Sequence, residues 1–354
     1  MKTYLAKRFL LMIPTLLGIT LLTYALVRLA PGDPVEAMIR AQAGDINPKV
    51  FANEADAIRE RLGLKNYNLW GKDPQKIDAL EKVVNVFYGY GRWMSHVLRG
   101  DFGESMKYKT SDGSKSPPAL FWERAGITIP LNLVAQVAIF VIAIPVGLAA
   151  ARRRGGFFDR FSTIVLLGLY SVPSILAGTL FIGFLGRGGL GLEWFPVAGL
   201  HSSAAEGLGR LAYLKDLLWH VALPIACMVY GGLAYLAKLG RASLLENLRA
   251  DYVRTARAKG LSEGRVVYHH AFRNSLLPMI TTMVMTLPGL IGGSVIVETI
   301  FSIHGMGLLM VGAAQARDLS VIVFGTLVYG AITLLALVVG DVLYAWADPR
   351  IRYE

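Results

Sequence analysis

The sequence predicts an all-α integral membrane protein with six transmembrane helices. Of its 354 residues, 54% are hydrophobic and 17% are charged, and the mean hydropathy is +0.48, a balance that is unusual for a water-soluble domain. A spanning helix needs about 20 mainly apolar residues. The chain contains six such windows: Phe9 to Leu29, Ile127 to Ala151, Phe161 to Leu185, Val221 to Leu239, Leu276 to Phe301, and Val321 to Trp346.

The first window is predicted to be a permanent anchor. Lys2, Lys7 and Arg8 precede it, as basic residues precede the core of a cleavable signal peptide. The apolar run is, however, longer than the roughly 7 to 15 residues of a signal core, and Arg28 stands where cleavage needs a small residue. We therefore expect the first helix to be retained.

The distribution of basic residues predicts that both termini face the cytoplasm, because short cytoplasmic connections are enriched in Lys and Arg. With the amino terminus inside, this side receives Lys2, Lys7, Arg8, Arg152, Arg153, Arg154, Arg160, Arg241, Arg249, Arg254, Arg257, Lys259, Arg265, Arg273, Arg350 and Arg352. The two short external connections receive Arg187, Arg210, Lys215 and Arg317. Topology thus accounts for the net charge of +11, and no nucleic-acid partner is expected.

The spans divide the chain into three segments. Residues 1–30 hold the cytoplasmic start and the first helix, residues 31–123 form a large first external loop, and residues 124–354 hold helices two to six. In the external segment, "EADAIRERLGL" and "DPQKIDALEKVVNVFYGYGRWMSHVL" have helical spacing. In the second of these, one helix face carries Ile77, Leu80, Val84 and Phe87. We therefore expect a small folded cap.

A loop of residues 240–275 joins the fourth and fifth spans on the cytoplasmic side, and it is long and patterned for a connection. One amphipathic helix is predicted, with an apolar stripe of Leu244, Leu245, Leu248, Tyr252 and Ala256. Gly260 interrupts it, and Ser262 is placed to cap a second short helix that runs to Arg273.

The second short helix is expected to dock on a partner protein. Its circumference is mostly polar, with Arg265, Tyr268, His269, His270 and Arg273, and it lacks a broad apolar face. Such a surface suits a polar groove of a partner protein. The alternative is a surface helix whose arginines contact anionic membrane lipid.

Several stretches together resemble one transporter family. "DYVRTARAKGLSEGRVVYHHAFRNSLLP" resembles the cytoplasmic coupling loop of permease subunits in ABC importers of the dipeptide and oligopeptide type. Other stretches agree in order along the chain: "KRFLLMIPTLLGITLLTYALVRLAPGDP", "YGRWMSHVLRGDFGESM", "LWHVALPIACMV", "ETIFSIHGMGLLMVGAAQARDLSVIVFGTLVY" and "DVLYAWADPRIRYE". The resemblance covers nearly the whole chain.

The resemblance implies one subunit of a heteromeric importer in a bacterial or archaeal cytoplasmic (inner) membrane. Its expected partners are a second homologous permease, two cytoplasmic ABC ATPase subunits, an external substrate-binding protein and membrane lipid. ATP and Mg would be bound by the ATPases, and no cofactor by this chain. The cargo would be di- or oligopeptides, although relatives of this architecture also carry nickel complexes or peptide-nucleotide antibiotics.

The resemblance also implies which residues dock on the ATPase. In the wider family this loop has the pattern E-A-A, followed by any three residues, then Gly, and later Leu-Pro. Here Arg254, Thr255 and Ala256 occupy the E-A-A positions, Gly260 matches, and Leu277-Pro278 follows further downstream than usual. The family's glutamate therefore has no counterpart. The expected docking residues are Arg254, Thr255, Ala256, Arg257, Lys259, Gly260, Leu261, Ser262, Glu263, Arg265, His270, Arg273 and Asn274. Gly260 is expected at a turn with a positive φ or at a close approach to the ATPase.

Enzyme and nucleotide-binding motifs are absent from the sequence. It contains no G-x-x-x-x-G-K-[ST], no H-E-x-x-H and no G-x-S-x-G. "GRGGLG" (Gly186 to Gly191) follows a membrane span and not a strand, so an external turn is expected. His269 and His270 point to different helix faces, which favours docking contacts over metal binding. Cys227 is expected to be a buried small hydrophobe. We expect a transport subunit and not an enzyme.

Ionisable residues and prolines within the spans are the remaining candidates. Lys238 and Glu298 lie near predicted span ends, where snorkelling would explain them. Asp341 lies deeper and is expected to form a helix–helix hydrogen bond, with a substrate contact as the alternative. Pro173, Pro224 and Pro288 are expected to bend helices along the transport passage, although static kinks are the alternative. An ion-coupled secondary transporter is the competing class, but it would need a richer mid-membrane relay and repeat symmetry.

Overall fold

Helices make up the regular structure of the described residues. The computed structural model describes residues 2–30, 35, 48–65 and 79–347, and in these ranges no strand forms beyond an isolated bridge between Gly186 and Phe195. The helices of the first part of the chain are α1 (Lys2–Leu29), α2 (Pro48–Arg61), α3 (Ala79–Val97), α4 (Pro117–Arg152), α5 (Phe157–Ser171), α6 (Ser174–Leu185) and α7 (Arg210–Asn247), with a 3₁₀ turn at Ala205–Gly207.

The second part of the chain contains shorter helices and one long terminal helix. They are α8 (Asp251–Ala258), α9 (Glu263–Arg265), a π-helical segment (Val266–Ala271), α10 (Phe272–Ser275), α11 (Leu277–Thr286), α12 (Gly289–Gly292), α13 (Val295–Ile300), α14 (Met306–Ala316) and α15 (Leu319–Ala347). The all-α prediction is confirmed for the residues that the structure describes.

Four helices are long and apolar enough to cross a membrane as single rods. They are Thr3–Leu29, Pro117–Arg152, Arg210–Asn247 and Leu319–Leu343. They correspond to the first, second, fourth and sixth predicted windows. Proline lies inside three of them, at Pro14, Pro130, Pro145 and Pro224, and each helix continues through its prolines.

The third and fifth predicted windows are bent pairs of helices. Phe157–Ser171 and Ser174–Leu185 meet at 97°, and Glu263–Thr286 and Gly289–Ile300 meet at 40°. The described residues therefore contain four candidate spans, or up to six if each bent pair is one span. At the first bend, Val172 is extended (φ −87°, ψ 119°) and precedes Pro173, as the ring of a following proline disfavours the helical region.

The described chain separates into two compact units. One comprises the described residues up to 126 together with 309–335, and the other comprises 127–308 together with the described residues from 336 on. We call them the cap-containing unit and the core unit.

In the cap-containing unit, α1 packs against α3 through aromatic rings. The centroid of Tyr24 lies 5.7 Å from that of Tyr90 and 6.1 Å from that of Trp93. The Tyr24 hydroxyl donates to the Gly63 carbonyl at 2.8 Å, where α2 has ended, and Arg28 donates to the Lys65 carbonyl at 3.0 Å. The described helices α2 and α3 thus pack with α1, and the small folded cap of residues 31–123 stays a prediction.

Leu80, Val84 and Phe87 lie on one face of α3, as their helical spacing predicts. Leu80 and Phe87 are exposed, and Ile77 lies outside the described residues. The buried side chains are instead Glu81, Asn85, Val86 and Trp93. The shared face is therefore confirmed, while the buried side of the helix is the one that carries Glu81, Asn85 and Trp93.

Asp318 organises a second part of the cap-containing unit. This fully buried residue precedes α15, and its carboxylate accepts hydrogen bonds from the Ser105 hydroxyl at 2.6 Å and from the Met106 amide at 2.8 Å. Hydrogen bonds to a buried charged group contribute about 1.5–3 kcal/mol each. Asp318 therefore holds the segment after α3 to the start of the last helix.

In the core unit, α7 is the central helix. Its buried residues Val221, Leu223, Cys227 and Tyr230 pack with Ala177 of α6 and with Leu131 of α4, Val297, Phe301 and Ile303. Further along α7, Ala234, Leu236 and Ala237 pack with Ile139 and Ala143 of α4, Leu166 of α5 and Met279 of α11. Cys227 is buried, as predicted.

Candidate functional site

The loop of residues 240–275 is a folded extension of α7. With 38 residues, α7 is about 57 Å long, which exceeds the roughly 30 Å hydrocarbon core of a bilayer. The helix ends at Asn247, and α8 begins at Asp251 after a turn. The predicted single helix carrying Leu244 to Ala256 was therefore wrong, because the break at residues 248–250 separates the two halves of the stripe.

A small apolar core fixes the loop to the neighbouring helices. Leu244 of α7, Val253 and Ala256 of α8, and Val266 and Ala271 of the π-helical segment pack with Ala151 at the end of α4. Val253, Val266 and Ala271 have no exposed surface. Tyr252, which was expected on the buried stripe, is exposed, and Ala256, an expected docking residue, lies inside this core.

Gly260 makes the turn between α8 and α9. Its φ is +77°, a conformation that costs a residue with a side chain about 1–2 kcal/mol. No other atom of the chain lies within 4 Å of a Cβ built there. The positive φ follows the prediction, and the alternative of a close approach to the ATPase stays a prediction.

An ion pair closes the Gly260 turn. Arg257 donates to both carboxylate oxygens of Glu263, from Nη2 at 2.7 Å and from Nε at 3.1 Å. The hydrogen bonds to Glu263 raise the pKa of Arg257 above its already high ordinary value, so Arg257 stays cationic at every physiological pH. Both side chains are exposed, and such pairs contribute about 0–1 kcal/mol.

Ser262 does not cap the second helix with its side chain. It occupies the N-cap position with φ −60° and ψ 143°, but its hydroxyl makes no capping hydrogen bond. Its carbonyl accepts from the Val266 amide at 3.0 Å. The N-cap position of Ser262 was thus predicted correctly, whereas the predicted side-chain capping hydrogen bond is not formed.

Most of the expected docking residues lie on the surface of the loop. The exposed ones are Arg254, Thr255, Arg257, Lys259, Gly260, Ser262, Glu263, Arg265, Arg273 and Asn274, whereas Leu261 and His270 are partly buried. Tyr268 is also exposed and accepts a hydrogen bond from Arg152 of α4 at 3.0 Å. The loop therefore presents a cationic surface on a rigid base.

The helix after Ser262 contains a π-helical segment, Val266–Ala271, that the sequence did not reveal. Such segments are rare and are frequent at functional sites. It lies between the exposed part of the loop and the helices α10 and α11. No periodicity in so short a stretch distinguishes π from α geometry, so the sequence carried no usable signal.

A second ion pair at the base of the loop was also missed. Arg241 of α7 donates to Asp159 of α5 from Nε to Oδ1 at 2.6 Å and from Nη2 to Oδ2 at 2.9 Å. The Gly155 amide donates to the same Oδ2 at 2.9 Å. Asp159 is buried, so both of its oxygens are satisfied by protein groups. Because the partners are 82 positions apart, sequence reasoning could not pair them.

Side chains from the straight helices complete hydrogen bonds at the bends. At the 97° bend, the Tyr230 hydroxyl of α7 donates to the Val172 carbonyl at 2.9 Å. The Cys227 thiol lies 3.6 Å from the Ser174 carbonyl. At the 40° bend, the Asn132 amide of α4 donates to the Leu290 carbonyl at 2.9 Å. Carbonyls that the broken helices leave without a partner are thereby satisfied inside the protein.

The predicted hinge residues occupy different positions. Pro173 and Pro288 lie at the two bends, where each is the N-cap residue of the helix that follows. Pro224 lies inside the continuous helix α7. Asp341 is half-buried on α15.

Glu298 proves to be a buried anchor. Its side chain is only 2% exposed, which excludes the snorkelling expected from its position. The carboxylate accepts hydrogen bonds from the Leu308 amide at 2.8 Å and from the Thr128 hydroxyl at 3.2 Å. Thr128 in turn accepts from the Met306 amide at 2.8 Å. Glu298 therefore joins α13, α4 and the amino-terminal turn of α14, where a helix favours a negative charge.

Three glycines surround this carboxylate. A Cβ at Gly293 would lie 2.3 Å from a Glu298 oxygen, and Cβ atoms at Gly305 and Gly307 would lie 2.7 Å and 3.1 Å from the carboxylate. Gly293 also has a φ of +74°. The available sequence signal was the glycine-rich spacing around Glu298, but without the contacts it does not distinguish a buried anchor from a surface turn.

Comparison with known proteins identifies relatives over the whole chain. Residues 143–353 match the family described as "Binding-protein-dependent transport system inner membrane component". The oligopeptide transport system permease protein AppB of Bacillus subtilis (strain 168) is 33% identical over 353 residues, which cover all of both chains.

Two further relatives also align over their full lengths. The inner membrane ABC transporter permease protein YejB of Escherichia coli O157:H7 is 34% identical over 371 aligned residues. The di/tripeptide transport system permease protein DppB of Pseudomonas aeruginosa (strain UCBPP-PA14) is 33% identical over 367 aligned residues. In both cases all of this chain and all of the relative are covered.

Glu298→Gln is expected to destabilise the protein without preventing membrane insertion. Glutamine keeps the volume but replaces one acceptor oxygen with a donor, so a buried donor loses its partner at a cost of about 1–3 kcal/mol. Thermal unfolding of the purified protein in detergent measures the effect. The control is Glu104→Gln, which makes the same change at an exposed residue. Equal unfolding midpoints for both variants and the wild type would contradict the anchoring role of Glu298.

Proposed function

The chain belongs to the family of binding-protein-dependent transport system inner-membrane components, and we propose that it is a permease subunit through which an ATP-driven importer passes peptides or peptide-like solutes into the cytoplasm. The observation that carries the proposal is the full-length similarity to permeases named for oligopeptide and di/tripeptide transport. It is a multi-pass membrane protein.

ATP hydrolysis is assigned to partner subunits. The chain contains no G-x-x-x-x-G-K-[ST] motif for holding nucleotide phosphates. The coupling loop (residues 240–275) offers Arg254, Arg257, Lys259 and Arg265 on an exposed surface that a small core attaches to α4 and α7. We assign this surface to a groove of an ABC ATPase, which binds ATP and Mg. Two such ATPases, a second homologous permease and an external binding protein complete the importer.

The proposed topology has six spans, with each bent pair counted as one span and both termini in the cytoplasm. The excess of Lys and Arg on the coupling-loop side supports this orientation. The segment of residues 31–123 then lies outside, where it contacts the binding protein or covers the passage. We assign the cargo specificity of the importer to the binding protein, because the described spans carry few polar groups that could recognise a peptide.

The passage is proposed to move at the bent helices. Pro173 and Pro288 lie at the bends, and Pro224 gives α7 a site for smaller adjustments. Tyr230 and Asn132 hold these bends by one or two side-chain hydrogen bonds each, which exchange more readily than a helical ladder. Asp341 is retained as a helix–helix contact.

Peptide uptake by the purified assembly tests the proposed function directly. The tagged chain is purified with its co-purifying subunits, reconstituted in liposomes, and supplied with a binding protein and a labelled tripeptide. Uptake is expected to require ATP on the coupling-loop side and to be indifferent to an imposed proton gradient. Uptake driven by the gradient in the absence of ATPase subunits would establish the secondary transporter instead.

Gly260→Ala is expected to weaken ATPase docking and peptide uptake together. A side chain at φ +77° costs about 1–2 kcal/mol, which corresponds to roughly a five- to thirtyfold loss of the docking-competent turn. Co-purification of the ATPase with the tagged chain measures docking. The matched control is Gly264→Ala, an exposed position with equal space around it and no positive φ. Undiminished docking by Gly260→Ala, or an equal loss in the control, would refute the role of the turn.

Tyr230→Phe is expected to reduce the rate of uptake while ATPase docking stays normal. The substitution removes only the hydroxyl that donates to Val172 at the 97° bend, and an unsatisfied buried carbonyl costs about 1–3 kcal/mol. Initial uptake rates and ATPase co-purification are measured side by side. Tyr235→Phe makes the same change at an exposed residue of α7. A wild-type uptake rate for Tyr230→Phe would show that the bend does not limit transport.

A further inference from the structure

The turn between α4 and α5 combines strong positive charge with exposed aromatic rings. Arg152, Arg153, Arg154 and Arg160 are all exposed. The only acidic residue among them, Asp159, is buried and bound by Arg241. No carboxylate of the described residues lies within ion-pair distance of the four arginines. We call the turn and these four arginines the basic turn, and its charge faces outward.

The basic turn is held in one conformation. Gly155 has a φ of +76°, and its amide is bound by Asp159. The Gly156 amide donates to the Arg153 carbonyl at 2.8 Å. The guanidinium of Arg152 lies 5.5 Å from the ring centroid of Tyr268, and that of Arg153 lies 6.0 Å from that of Phe158. The cations are therefore arranged before any ligand arrives.

An apolar stripe begins at Phe157, and Arg160 lies between its first two rings in the sequence. The rings of Phe157 and Phe161 stack with centroids 5.8 Å apart, and Phe157 is 84% exposed. Ile164, one turn further along α5, is 70% exposed. These positions are spaced by four and three residues, so they share one helix face. The stripe runs from the basic turn along a helix of a candidate membrane span.

We propose that the basic turn and the Phe157–Ile164 stripe form a binding site for an anionic phospholipid of the leaflet on the coupling-loop side. The arginines neutralise and hydrogen-bond the phosphate headgroup, and the stacked phenylalanines contact the acyl chains. A free phosphate would use only the cations, whereas an amphiphile uses both surfaces. The chain's membrane location places such a lipid within reach, and the inference does not depend on the transported cargo.

The site adjoins the coupling loop through Arg152. Arg152 donates to the Tyr268 hydroxyl at 3.0 Å, so a lipid at the basic turn lies next to the base of the loop. Arg152 is therefore left intact in the test, and Arg153, Arg154 and Arg160 are replaced by glutamine. This variant removes three charges from the site and leaves the described contacts of the coupling loop in place.

The test measures lipid retained by the full-length protein, together with any co-purifying subunits, by native mass spectrometry. The probes are dioleoyl phosphatidylglycerol and dioleoyl phosphatidylcholine titrated in mixed micelles. Wild-type protein is expected to retain the phosphatidylglycerol selectively. The triple variant is expected to bind it at least about tenfold more weakly, since each basic residue near a membrane surface contributes about 1 kcal/mol.

Two further variants make the result specific. A charge control removes three positive charges from exposed positions elsewhere, by Arg187→Gln, Arg210→Gln and Lys215→Gln. This control is expected to retain wild-type lipid selectivity. The double variant Phe157→Ser, Phe161→Ser keeps every arginine. It is expected to bind phosphatidylglycerol several-fold more weakly, because contact with the acyl chains is lost.

Four outcomes would overturn the proposal. Unchanged phosphatidylglycerol binding by the triple arginine variant would show that these cations hold no lipid. An equal loss in the charge control would reduce the effect to net charge. Full retention by the double phenylalanine variant would leave a site for phosphate alone. If the triple variant kept its lipid but no longer co-purified with one of the subunits, the surface would be a contact for a protein partner.

Discussion

The structure depends on one constraint: within a bilayer, every backbone amide and carbonyl must be hydrogen-bonded inside the protein. The four straight candidate spans meet it with their own helical ladders. The bent pairs cannot, because a break leaves carbonyls and amides without partners. Tyr230 supplies a donor at one break, Asn132 at the other, and Glu298 with Thr128 binds the amides that begin α14. The two bends and the start of α14 thus each coincide with a polar side chain from a neighbouring element.

This arrangement gives the few polar groups of the spans a common role. A secondary transporter would place ionisable residues along an ion path, whereas Glu298 is occupied by amides and a hydroxyl of its own chain. The side chains at the bends hold helices in defined positions, and each does so by one or two hydrogen bonds. Such bonds are strong enough to specify a geometry and few enough to be exchanged for others, as movement between two states requires.

The loop of residues 240–275 is packed at its base and polar at its surface. Val253, Val266 and Ala271 are fully buried against the ends of α4 and α7. The Asp159–Arg241 pair ties α5 to α7, and the Arg152–Tyr268 bond ties the loop to α4. A displacement of the loop would therefore move three helices and not one. Its exposed cations, in contrast, contribute little to stability and are available for a partner.

The sequence by itself determined the helical class, the six apolar windows, the candidate coupling loop and the positive φ at Gly260. These properties are local, since they follow from composition, from the length of apolar runs and from the backbone freedom of glycine. Only the tertiary structure decided that two of the windows bend, that Ala256 is buried, that Leu80 and Phe87 face outward, and that Glu298 is an anchor. Those outcomes depend on contacts between residues far apart in the chain, such as Thr128 with Glu298 and Asp159 with Arg241. In a membrane protein, moreover, an apolar face is stable both against lipid and against another helix, so hydrophobic pattern alone does not identify the buried side.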